Sequence, residues 1–177
     1  MQEIYSDNTR KILQHKARLE KELKVKITSK GKNILAEGES IDEYLTEKVI
    51  EAIDLGFTIH QALLLKDEEI IFEKINIKHL TKRHDINRIR ARIIGTHGKT
   101  KSIIQDLSEC FISLHDNTVG IIGRAEDIKK AMRAIESIIQ GRKQGKVYSY
   151  LERLRSREKL KMHEDLGLKI KEKKKKK

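Results

Sequence analysis

The sequence predicts an α+β fold built from two copies of one small unit, each a three-stranded antiparallel sheet packed on helices. Three observations predict it. The chain repeats itself at a constant offset of 85 residues: Gly38 matches Gly123 and Gly56 matches Gly141, while Leu19, Ile27, Ile34, Ile50 and Ile53 match Ile104, Ile112, Val119, Ile135 and Ile138. Asp42 and Asp127, and Glu51 and Glu136, keep the same spacing. Glycine, acidic and apolar pairs held in register without a gap mark two copies of one domain. Within each copy the apolar pattern passes from helical to strand periodicity and back. The 177 residues are 37% hydrophobic and 37% charged, which supports thin cores and so two small domains rather than one large one.

The elements follow in chain order. In copy one, Asp7 or Asn8 caps one continuous helix through to Leu23. Residues 25–28 and 34–37 form a hairpin with Gly31 at its turn. Ser40 and Glu43 make a capping box for a long helix that carries Ile41, Leu45, Val49, Ala52 and Ile53 inward before Gly56. Asp67-Glu68-Glu69 reads as a solvated turn. Residues 70–77 supply the opening strand of copy two, and a basic helix over 86–94 leads into Gly95-Thr96-His97-Gly98. A helix over 99–109, strands over 110–114 and 118–123 and a helix over 125–140 complete the copy. Asp116-Asn117 turns the hairpin, because Asn tolerates positive φ, and Gly141 stops the last helix. From about Tyr148, Leu151 and Leu154 follow helical spacing, and residues 169–177 are lysine-rich, of low complexity and expected to be disordered alone. The expected organisation is therefore residues 1–66, residues 67–145, and a basic helix with its tail over 146–177.

Charge narrows the function. There are 15 basic and 15 acidic side chains over residues 1–83, 9 and 7 over 84–141, and 15 and 5 over 142–177. The excess lies at the C-terminal end, with a smaller cluster of Arg88, Arg90, Arg92, Lys99 and Lys101 around the glycine loop. That asymmetry favours a polyanionic partner. The aromatic content of 4% argues against modules that read RNA mainly by stacking. No stretch is apolar for the roughly 18 residues of a membrane span. A single cysteine, Cys110, in an apolar run is expected in the core, and the cell interior, the cytoplasm, is the expected compartment. Seven histidines without H-x-x-x-H spacing, no C-x-x-C, no G-x-S-x-G and no P-loop point to neither catalysis nor a metal or other cofactor.

The loop carries the functional reading. Two glycines around two variable residues, between helices and flanked by cations, let a sugar-phosphate backbone approach closely. A G-x-x-G between two helices is the signature of the KH domain, which clamps about four nucleotides of single-stranded nucleic acid. Gly95, Thr96, His97 and Gly98 would form the clamp, and Lys99, Lys101, Arg88, Arg90 and Arg92 would meet phosphates. Ile94, Ile112 and Ile121 are candidates for an apolar floor under the bases, with plain core packing as the alternative. Copy one has Arg10-Lys11-Ile12-Leu13 at the loop position, so it is expected to keep the fold without the clamp.

The run from Arg90 through Gly95-Thr96-His97-Gly98 to Thr100, the segment Thr118-Val119-Gly120-Ile121-Ile122-Gly123 and Val147-Tyr148-Ser149-Tyr150-Leu151-Glu152 resemble the archaeal KH-domain ribosome-assembly proteins. These are related to the eukaryotic partner-of-Nob and Krr-type factors. The resemblance implies two tandem type I KH domains, the first without its glycines. It also implies binding near the 3′ end of small-subunit rRNA in the pre-ribosomal small subunit, and cooperation with a Nob-type endonuclease. A protein-interaction scaffold for that nuclease, or a KH protein of RNA decay or translation, are the alternatives.

Overall fold

The computed structural model describes residues 2–81 and 85–165; the lysine-rich tail lies outside them. The first unit runs β1 (Gln2–Tyr5), α1 (Thr9–Gln14), α2 (Lys16–Leu23), β2 (Lys26–Lys30), β3 (Asn33–Glu37) and α3 (Ser40–Asp54), then a short α4 (Ile59–Leu63) and a 3-10 turn (Leu64–Lys66). The second runs β4 (Ile70–Asn76), α5 (Ile77–Leu80), α6 (Ile86–Ile94), a 3-10 turn (Thr96–Gly98), α7 (Lys99–Ser108), β5 (Phe111–His115), β6 (Thr118–Arg124) and α8 (Ala125–Ile139). A final helix, α9 (Gln144–Asp165), follows. The sheets have orders β1-β3-β2 and β4-β6-β5, and every pairing is antiparallel.

The internal repeat extends to individual contacts. A Cβ at Gly38 would meet Val25, and one at Gly123 would meet Cys110. Glu20 accepts from the Ile27 N–H at 2.7 Å as Gln105 does from Ile112 at 2.9 Å. Lys24 and Glu109 end α2 and α7 with φ of 54° and 57°. Each of these positions lies 85 residues from its counterpart. Cys110 is buried, and burial pushes its thiol up to about 12.

Some expectations are overturned. The helix of copy one is not continuous: it breaks at His15, between α1 and α2. Long-range bonds fix its start, because Asp54 accepts from Ser6 Oγ at 2.7 Å and from the Asn8 N–H at 3.2 Å. Ser40 is not a cap; Glu39 holds that position in an extended conformation, and the Glu43 carboxylate accepts from the Gly38 N–H at 3.1 Å. Ile41 is 80% exposed: it stands in the first turn of α3, more than a full turn ahead of the first buried residue, Thr46. At the second hairpin it is Asp116, not Asn117, that takes positive φ. Strand β1 and helices α4 and α5 went unread; α4 carries a capping box of Thr58 and Gln61.

The two units share a packed seam. The α3–α4 corner lies on the face of the second sheet that turns away from its own helices. Phe57 meets Phe72 edge-to-face at 6.1 Å, Ser113 Oγ donates to the Leu55 carbonyl at 2.7 Å, and Ile122 belongs to the core of the first unit. A Cβ at Gly120 would stand 2.8 Å from Phe57 and 3.1 Å from Leu55. Lys74 of β4 pairs with Glu51 of α3.

Candidate nucleic-acid interface

Helix α6 buries Ile89 and Ile93 and ends on the Gly95 N–H, which donates to the Ala91 carbonyl at 2.8 Å. The chain then makes one tight turn before α7. Gly95 has φ 73°, His97 φ 51° and Gly98 φ 76°, so three of four residues lie in the region that favours glycine. Among the described residues the N–H groups of Thr96 and His97 have no acceptor. Both side chains are exposed. A Cβ at Gly98 would meet nothing within 4 Å, whereas one at Gly95 would collide with Thr100. Gly95 therefore closes the loop inward, and Gly98 leaves its outer surface bare.

The expected site residues divide. Lys99 is exposed and Lys101 half-buried on the first turn of α7, where helix N–H groups also face outward. Arg88 is exposed, with Asp85 at 3.9 Å. Arg90 is half-buried, and its Nε has no partner among the described residues. Ile94, 39% exposed at the end of α6, offers apolar surface beside the loop. Three expectations are corrected. Arg92 turns inward, donating to the Ile138 carbonyl at 3.2 Å and the Arg142 carbonyl at 2.5 Å, so it caps α8 rather than meeting phosphate. Ile112 and Ile121, 3% and 0% exposed, are core residues, because their strand positions face the helices of the unit.

A supporting shell escaped the sequence reading. The buried Thr100 hydroxyl, beneath Gly95, is bonded by Gln144 Nε2 at 2.9 Å and by the Tyr148 hydroxyl at 3.0 Å. Gln144 also donates to the Arg92 carbonyl at 2.8 Å. Helix α9 thereby braces the loop from behind. It is anchored by Val147 and Leu151 in the core and by Lys130, which bonds Asp127 at 2.6 Å and Glu158 at 2.7 Å. Burial alone would pull Lys130 down, but those two carboxylates outweigh it and hold its pKa above the ordinary lysine value. The only local signal for this shell was the helical spacing of Tyr148 and Leu151.

Among the described residues no cluster could hold a metal ion, and no helix is long and apolar enough to cross a membrane. Known proteins resemble this chain in sequence and fold. Residues 71–156 match a family model for the second KH domain of PNO1, a eukaryotic-type KH domain of type I. The crystal structure of Dim2p from Pyrococcus horikoshii superposes with TM-score 0.77 at 31% identity, covering 86% of this chain and 99% of that one. The Dim2p chain of a complex with a/eIF2alpha and rRNA from the same organism gives 0.79 at 29% identity, over 88% and 93%. A KH domain-containing protein of Methanocaldococcus jannaschii is 33% identical over 80% of this chain and 66% of its own length. The pre-rRNA-processing protein PNO1 of Candida glabrata is 39% identical over 61% and 42%. The chain thus spans two thirds or less of these curated relatives.

Proposed function

The chain belongs to the KH-domain family of archaeal Dim2p and eukaryotic PNO1, and from that premise we propose that it binds single-stranded rRNA through the loop between α6 and α7 during small-subunit biogenesis. Residues 67–145 form the RNA-binding KH domain in this reading. Residues 1–66 are a KH-like domain without a clamp, and the chain from 146 on adds the basic helix and tail. Gly95 and Gly98 admit the backbone, and the free N–H groups of Thr96 and His97 meet its phosphates. Lys99, Lys101, Arg88 and Arg90 supply charge, and Ile94 supplies apolar contact. The protein binds and positions RNA and catalyses nothing. The rRNA in the Dim2p complex supports the substrate class. The 3′ end of small-subunit rRNA as the segment bound, a Nob-type endonuclease as partner and a cytoplasmic setting complete the proposal.

One observation carries it: the outer face of Gly98 is open while its φ of 76° disfavours a side chain. Gly98→Asp puts a carboxylate there. It should weaken binding of a 3′-terminal small-subunit rRNA oligonucleotide by at least about tenfold. It should also flatten the log–log salt dependence, which runs at roughly −0.7 per phosphate contact on single strands. Fluorescence anisotropy at several salt concentrations reads both. Binding and slope equal to wild type would remove the loop from the interface.

A further inference from the structure

The turn between α8 and α9 opens a cleft of about 900 Å³ that the glycine loop does not use. Arg133, Arg142, Lys143, Lys146 and Arg153 line it, and the only carboxylate among its lining residues is Glu136. All five cations are exposed. None makes an ion pair among the described residues, although nearby Lys130 and Arg155 do. Like charges gathered in one recess repel one another, and an anion relieves that cost.

The rear of the cleft is prepared for an anion as well. The C-terminal end of a helix is normally negative, but here the Arg92 guanidinium covers the carbonyls of Ile138 and Arg142. Gln144, on the same turn, bonds both the end of α6 and Thr100 under the glycine loop. Cleft and loop therefore flank one rigid corner of the molecule.

We propose that this cleft binds the phosphodiester backbone of a second stretch of the RNA whose other stretch lies at Gly95–Gly98. The identity of the polyanion rests on the RNA-binding reading given above; the site itself does not. A nucleic-acid backbone suits dispersed single charges, met by lysine point charges and arginine forks. An acidic protein would call for apolar anchors; none of the exposed large hydrophobic residues lies in this lining, and its one aromatic, Tyr150, is half-buried against the core of the second unit.

The test uses the full chain with two single-stranded RNAs, one of about six nucleotides, enough to fill a clamp for four, and one of about twenty. The double variant R142A/K146A changes two exposed side chains, and an unshifted thermal melt confirms its fold. It should leave the short RNA within about twofold of wild type and weaken the long one about fivefold or more. The salt slope of the long RNA should fall by about 1.4, the share of two contacts. Unchanged binding of the long RNA, or equal weakening of both, overturns the proposal. So does loss of poly-glutamate binding with intact RNA binding, which would assign the cleft to an acidic protein. G98D run in parallel separates the two readings. If it weakens neither RNA while R142A/K146A still weakens the long one, the loop assignment fails and the cleft stands.

Discussion

A Cβ at Gly95 would press on the Thr100 hydroxyl and stand 2.7 Å from the Thr100 Cβ and amide nitrogen, while one at Gly98 would meet open space. Both residues have positive φ, so alanine is strained at either. Only at Gly95 does overpacking add to that strain. Gly95→Ala should cost about 2–4 kcal/mol and lower Tm by about 5–15 °C, whereas Gly98→Ala should cost only about 1–2 kcal/mol. Thermal melts of the two variants check the order, and a larger loss at Gly98 would contradict it. The spacing of the two glycines was legible in the sequence, but the division of labour between them was not, because it depends on where Thr100 points. Arg92 teaches the same lesson. On composition it is one more cation near a phosphate loop, and only the end of α8 beside it reveals that its guanidinium is committed to carbonyls.

At the scale of the element, α9 matters more than its exposed, polar face suggests. Gln144→Ala removes two hydrogen bonds, to Thr100 and to the Arg92 carbonyl, at an expected cost of about 1–2 kcal/mol. Because those bonds brace the clamp, RNA affinity should fall a few-fold along with Tm. Combining it with Tyr148→Phe, which frees Thr100 altogether, should give a coupling of at least about 0.5 kcal/mol in a double-mutant cycle. Strict additivity would mean that the two side chains act independently. The offset of 85 made most elements readable: β2 and β5, and α3 and α8, occupy positions that correspond residue for residue. It fails upstream of α2 and α7, where β1 and β4 lie 68 residues apart at their first positions. The second unit gains α5 there, and a four-residue strand at the start of the chain has too short a pattern to announce itself. The break at His15 was equally hidden, since nothing in Arg10-Lys11-Ile12-Leu13 interrupts a helix.

For the whole molecule, the seam decides how the two units behave together. Gly120 stands in the middle of β6 because Phe57, Leu55 and Phe72 crowd the space a side chain would need. Gly120→Val should cost about 1–3 kcal/mol by overpacking and loosen one unit from the other. The thermal transition should broaden or split, and protease should cut between α4 and β4. Gly145→Ala, where a Cβ meets nothing, serves as the neutral control. A single sharp transition for Gly120→Val, unshifted from wild type, would show that the packing around Gly120 does not hold the two units together. Because Phe57 seats against Phe72 and Ser113 bonds to Leu55, the two halves meet through interlocked side chains and not through the connecting chain alone, which sets one bearing between them, in the manner of a carpenter's square rather than a chain of links.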